Sequence, residues 1–340
     1  MLTNDEIKKQ IELGNIEITN ITNKALEKPN SVNLSIGNIL YTYKNDIVLD
    51  SKNSNKYLNE IKKNKIENFD IITIKKNGLL LEPGKLYLAK SKQHIKTKGY
   101  VPVFFGRNSL SLLGISIDHN SGYKEDNFDD NIIFSIVCTK PTIIYPDIEV
   151  ANLTFFPSID KDNKKIGMIS GNEIKRRMEI KDIIVEPQDN IVINPNSINL
   201  SLNKTISVYI DEVLDLKKEN KTKDIEIGKD GLWLYPNEIY LGKSNEYSET
   251  YNLIPMIDGR SSTGRASLRV HCSASMGSIG YKGYWHMGMR VAQPVKVYEN
   301  MKICQIYFYT PVGKITNTYN GSMQNLDINK KGSQYHKLIN

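Results

Sequence analysis

Pro29-Asn30-Ser31-Val32-Asn33-Leu34-Ser35 recurs as Pro195-Asn196-Ser197-Ile198-Asn199-Leu200-Ser201. Upstream, Glu6-Ile7-Lys8-Lys9 recurs as Glu173-Ile174-Lys175-Arg176. Downstream, Gly78-Leu79, Pro83, Tyr87-Leu88 and Gly106-Arg107 return as Gly231-Leu232, Pro236, Tyr240-Leu241 and Gly259-Arg260, always 153 residues later. The same offset holds at Pro141 against Pro294 and at Phe155 against Phe308. A self-similarity of this length means two copies of one folding unit. The copies differ chiefly in a polar stretch of the first, Ser51-Lys52-Asn53-Ser54-Asn55-Lys56, which reads as a surface insertion. The polar run from Pro157 to Lys165 marks the boundary, so the expected division is 1–157, 168–312 and a C-terminal tail, 313–340.

Each copy opens on a capping-box pattern, Thr3 with Glu6 and Ser170 with Glu173, so one short helix is expected at each start. Short runs rich in Ile, Val, Leu, Tyr and Phe follow, among them Ile71-Ile72-Thr73-Ile74, Leu86-Tyr87-Leu88 and Ile303-Cys304-Gln305-Ile306-Tyr307-Phe308. Gly, Pro, Asn and Asp separate them, and no helix pattern lies between successive runs. The fold class is therefore mainly β, as two closed or sandwiched antiparallel domains.

The 340 residues suffice for two domains, and 39% hydrophobic with 24% charged residues is a globular balance. No apolar run approaches the roughly 18 residues of a membrane span. The first residues have neither a basic segment nor an apolar stretch, so the cytoplasm is the expected compartment. Cys138, Cys272 and Cys304 are too few and too scattered for a disulfide framework and are expected as free thiols. The net charge of +7 comes from dispersed lysines without a compact basic block, so nucleic acid is not an expected partner.

The stretch with most chemistry is Asp258-Gly259-Arg260-Ser261-Ser262-Thr263-Gly264-Arg265, followed by Val270-His271 and Gly280-Tyr281-Lys282-Gly283. Its glycines permit close backbone approach, its serines donate hydrogen bonds, and its arginines suit phosphate oxygens. Together with the opening helix and the Asn-Ser-Ile-Asn-Leu-Ser strand, this order resembles the dCTP deaminase branch of the dUTPase superfamily, most closely from Gly231 to Tyr309. The resemblance implies distorted β-barrel or jelly-roll domains, trimer-based homo-oligomers with sites between neighbouring domains, and a deoxypyrimidine triphosphate ligand. It implies Arg260, Ser261, Ser262 and Arg265 as the phosphate-binding set, and His271, Ala274 and Tyr281 beside the base and sugar. The segment Tyr319-Asn320-Gly321-Ser322-Met323-Gln324 resembles the family's ligand-covering tail; a frayed terminus is the alternative.

The departures bear on activity. Gly288 and Ser135 occupy the position of the deaminase branch's glutamate, and neither can serve as a general acid or base in its place. Ser278 stands where the diphosphatase branch carries an aspartate that works with magnesium on the triphosphate. Its counterpart in the first copy is Glu125, which makes a composite site, Glu125 with the second copy's phosphate loop, one reading; a solvated acidic turn is the other. The first copy's own loop is degraded, with Asn108 and Leu112 against Ser261 and Arg265, and Asn33 and Asn199 replace the family's usual aspartate. His271, Cys272 and His286 do not make a zinc-deaminase motif, so no metal site is expected. Deamination as such calls for no cofactor; magnesium would accompany a triphosphate. Two functions follow as alternatives: a divergent dCTP or dUTP-processing enzyme, or a nucleotide sensor or sink without catalytic carboxylates.

Overall fold

A computed structural model describes residues 1–44, 54–117, 122–158, 167–189, 191–325 and 333–339. The chain is mainly β, and its elements repeat at the offset read from the sequence. The strands Tyr87–Thr97, Asp129–Cys138 and Ile115–Ile117 of the first copy answer to Tyr240–Thr250, Lys282–Val291 and Leu268–Arg269 of the second. In each copy these lie side by side in a six-stranded sheet whose far edge is completed by Ile39–Tyr43 and Phe69–Thr73, or by Thr205–Tyr209 and Thr222–Glu226. A second sheet joins Val32–Ser35, Glu149–Pro157 and Tyr100–Gly106 in the first copy. Its equivalent joins Val192–Ile193, Ile198–Ser201, Lys302–Tyr309 and Ile254–Gly259 in the second.

The long strands alternate buried and more exposed residues, so that Tyr87, Ala89, Ser91, Gln93, Ile95 and Thr97 all face inward. Both sheets carry the same irregularity, between Lys90 and His94 and between Lys243 and Tyr247. A serine stitches each: Ser91 Oγ donates to Gln93 O at 2.6 Å and accepts from Ile132 N at 2.9 Å. Ser244 Oγ donates to Glu246 O at 2.8 Å and accepts from Trp285 N at 2.9 Å. The opening helices, Asn4–Glu12 and Gly171–Glu179, are capped as their sequences predict, Thr3 and Ser170 each accepting from the backbone N–H three residues on.

The insertion departs from its reading as a plain surface loop. Its Ser51–Asn53 part lies outside the described residues, but Ser54–Lys63 is a helix whose Tyr57 and Ile61 pack with Tyr41 and Phe69. Apolar residues spaced four apart place both on one helix face. Most of the boundary run, residues 159–166, also lies outside the described residues. All three cysteines are free and buried. Among the described residues no helix is long and apolar enough to cross a membrane.

The copies meet along a seam in which the turn and short helix after Gly106 enter the second copy. Gly106 N donates to Ser273 O at 2.9 Å, Cys272 N to Ser111 Oγ at 2.9 Å, and Ile117 N to Ser273 Oγ at 3.1 Å. Tyr209 Oη donates to Leu112 O at 3.2 Å, and Thr142–Ile144 pairs in parallel with Leu214–Asp215 across the seam. Two glycines permit the approach: a Cβ on Gly106 would stand 2.8 Å from that of Ser273, and one on Gly288 would stand 3.0 Å from the Ser111 carbonyl carbon.

Candidate functional site

The seam encloses a cavity of about 130 Å³. The first copy contributes Arg107, Asn108 and Ser109, the degraded loop, together with Lys28. From the second come His271, Ala274, Ser278, Tyr281, Trp285 and His286. Tyr319, Gly321, Ser322 and Met323 of the tail line it as well. The tail is held there by its backbone and by Gln324: Tyr319 N donates to Ile279 O at 2.7 Å, Gln324 Nε2 to Gly280 O at 2.9 Å, and Lys282 N to Gln324 Oε1 at 3.0 Å. This segment is thus a cover over a cavity and not a frayed end.

One wall is aromatic, with the Tyr281 ring 4.9 Å from Trp285 and 6.0 Å from Tyr319, centroid to centroid. Internal bonds already engage their polar tips, Tyr281 Oη donating to Tyr284 O at 2.7 Å and Trp285 Nε1 to Ser248 Oγ at 2.8 Å. Four polar atoms of the cavity are not engaged: Asn108 Oδ1, both ring nitrogens of His271 and Nε2 of His286 are buried without a hydrogen-bond partner. An unpaired buried polar atom costs about 1–3 kcal/mol, so four around one cavity mark a place where a polar ligand or water belongs. Burial holds both imidazoles far below the usual range, at about 4, so each is neutral at pH 7 and offers one donor and one acceptor.

A cleft of about 580 Å³ opens beside it, sharing Lys28, Arg107, Tyr319 and Gly321. Arg107 is buried, ion-paired with Glu149, and its guanidinium lies 5.9 Å from the Tyr335 ring centroid. Tyr335 Oη donates to Glu149 O at 3.0 Å, and Ser333 Oγ to Ser109 O at 2.6 Å, so the end of the chain braces the loop. Burial, then the neighbouring charge of Arg107, pushes the Lys28 amine down to about 8.

Three of the residues expected from sequence, His271, Ala274 and Tyr281, therefore share this cavity. The expected phosphate set does not join them. Arg260, Ser261, Ser262 and Arg265 cluster around the short helix Ser261–Arg265, and none of them lines the cavity or the cleft. Within the chain, the first copy's loop faces the second copy's pocket. Glu125 lies in an exposed turn outside both spaces, and its neighbour Asp126 has a structural task, accepting from Gly99 N at 2.8 Å and Tyr100 N at 3.1 Å. Gly288 lies under Ser111 and Leu112, whose backbone fills the space a longer side chain would need. Lys28 has no signal in the sequence, while Asn108 is read there only as part of a degraded loop and His286 only against a zinc motif; the resemblance of Gly106-Arg107 to Gly259-Arg260 is the one local sign that the first loop keeps its place.

Among the described residues no group of three or more His, Cys, Asp or Glu could hold a metal, and no carboxylate lines the cavity. The family model for dCTP deaminase-like proteins matches residues 1–158 and 168–310. A dUMP-forming dCTP deaminase of Hathewaya histolytica is 44% identical over 158 residues, 46% of this chain and 91% of that protein. Its counterpart in Clostridium beijerinckii is 46% identical over 158 residues, with the same coverage. The crystal structure of 2'-deoxycytidine 5'-triphosphate deaminase from Agrobacterium tumefaciens matches with a TM-score of 0.74 over 92% of this chain and 96% of that one. At 13% identity this is a likeness of fold, and it spans both copies.

Proposed function

The chain belongs to the dCTP deaminase-like family, and from that premise we propose that it binds a deoxypyrimidine nucleotide in the cavity between its copies without deaminating it there. The four unpaired polar atoms carry this reading, because a neutral imidazole pair and an amide oxygen match the mixed donors and acceptors of a pyrimidine edge. The Tyr281–Trp285 wall supplies a face for the ring. Deamination at C4 needs a group that takes and returns protons, and the lining offers no carboxylate for it. His271 and His286, neutral and weakly basic, are poor general bases.

Each copy is taken as one distorted barrel, residues 1–157 and 168–312, with residues 313–340 as the tail. Arg260, Ser261, Ser262 and Arg265 are a second phosphate seat at the surface, to be completed by a neighbouring chain in a trimer-based assembly. Sedimentation velocity tests the assembly. Thermal shift and product chromatography on the same samples, with dCTP, dUTP, dCMP, dUMP and deoxycytidine, test the function. Stabilisation without product is expected; release of dUTP or dUMP from dCTP would refute the non-catalytic reading, and no stabilisation by any of these would refute binding.

A further inference from the structure

The loops at the two ends of the repeat are equivalent in position and unequal in charge. In the second copy, Arg260 Nη1 donates to the Lys302 carbonyl at 3.1 Å, and Arg265 ends the short helix that Arg260 caps. Even with Glu246, which lies 3.7 Å from Lys302, and Asp258 at the start of the loop, three cations face two carboxylates and one positive charge remains in excess, whereas the equivalent positions of the first copy, Gln93, Phe105, Arg107, Leu112 and Glu149, sum to zero. In the first copy the counterparts of Arg265 and Lys302 are Leu112 and Glu149. Glu149 neutralises Arg107 and is itself fixed by Asn33 Nδ2, which donates to it at 3.0 Å. The other charges lining the cleft cancel as well, Lys24 against Glu27, while Asp147 is held by Lys92 at 2.7 Å. One cation is left over, Lys28, half-buried where cavity and cleft join. The loop that faces the base cavity is therefore the weakly charged one.

We infer that the nucleotide site between the copies selects a pyrimidine nucleoside monophosphate over the triphosphate, its single phosphate seated at Lys28 and the Glu149-paired Arg107. A phosphomonoester carries about two negative charges near pH 7, and each further phosphoryl group adds ionised oxygens. Those oxygens would meet Glu149 and Asp147 in a partly desolvated cleft, where unmatched charge is costly. This inference rests on the cavity being a pyrimidine site, and the experiment separates the two.

Calorimetric titration of the full chain with deoxycytidine, dCMP and dCTP, in magnesium-free buffer at pH 7, is the test. The expected order is dCMP tightest, at least tenfold tighter than dCTP, with deoxycytidine between them or weaker. Lys28→Ala should remove the advantage of dCMP over deoxycytidine while leaving deoxycytidine within about twofold. Glu149→Gln should narrow the gap between dCMP and dCTP at least fivefold. Binding of deoxycytidine with dCTP equal to or tighter than dCMP would overturn the charge argument and keep the cavity assignment; absence of binding by all three ligands would overturn both.

Discussion

Gly288 offers the sharpest perturbation, because a single added carbon reports whether the seam is as tight as its geometry indicates. Its φ is not in the left-handed region, so alanine brings no backbone penalty and only the contact matters. The new Cβ would lie 3.0 Å from the carbonyl carbon of Ser111 and 3.3 Å from Cα of Leu112, closer still to the carbonyl oxygen. These are backbone atoms and cannot rotate away. Optimal carbon contacts lie near 3.5–4.0 Å, and an overpacked methyl group costs about 1–3 kcal/mol. For Gly288→Ala we expect about 2 kcal/mol, and a melting temperature lower by roughly 4–8 °C at the scale of one copy. Gly264→Ala is the control, since nothing lies within 4 Å of its Cβ. Differential scanning fluorimetry of both variants suffices. Gly288→Glu, which restores the family's carboxylate in name, should be less stable still and should produce no dUTP or dUMP from dCTP. A Gly288→Ala melting temperature within about 1 °C of the parent, or deaminase activity in Gly288→Glu, would refute the claim that the first copy's backbone fills the space beside Gly288.

Three further outcomes follow from the same geometry. Because the folded Lys28 amine titrates at about 8, dCMP affinity should fall as pH rises from 7 to 9, and titrations of Lys28→Ala should be flat over that range; its charged neighbours are Arg107 and Lys24, and Arg107 keeps its proton throughout. The imidazoles of His271 and His286 are depressed to about 4 from 6.5, so the folded state binds fewer protons than the unfolded one and stability is lost as pH falls from 6.5 towards 4. Urea unfolding at pH 7 and 4.5 should show a loss of about 2–3 kcal/mol per histidine, smaller in His271→Asn. Arg265→Ala, at a loop that lines neither space, should leave nucleotide affinity in the cavity unchanged by calorimetry, although its residue type alone would suggest a loss of about 1.5–3 kcal/mol; a tenfold loss would place that loop in the site.

The repeat, the β-rich class and the two capped helices were legible because each rests on local signals: the constant offset, the alternation of apolar residues, and Thr3 and Ser170 ahead of their glutamates. Family resemblance named His271, Ala274 and Tyr281 together, and they share one cavity. What the sequence hid is which loop meets which pocket, since that is set by the packing of one copy on the other. Arg107-Asn108-Ser109 looked degraded because its residues were judged against a polyphosphate, and the serine and glycine contacts that bring it to His271 lie some 160 residues apart in the chain. The helix Ser54–Lys63 was hidden by its polarity: only Tyr57, Ile61 and their neighbours mark its buried face.

Duplication explains how such a site can drift. In an assembly of identical subunits every loop and every pocket bears the same residues, so a change that suits a new ligand at one site alters all of them. Here the pocket side can change in the second copy while the loop that serves it changes in the first. Glu149 and Leu112 lower the charge of the loop that lines the cavity, while their counterparts Lys302 and Arg265 leave the other loop the more positive of the two. Gly288 fits the same pattern: its counterpart Ser135 has a side chain, and only in the second copy, where Ser111 and Leu112 press in, is there none. The absence of a side chain at Gly288 and the close seam therefore go together, and placing a longer side chain there would require moving the first copy's backbone away as well as replacing the residue.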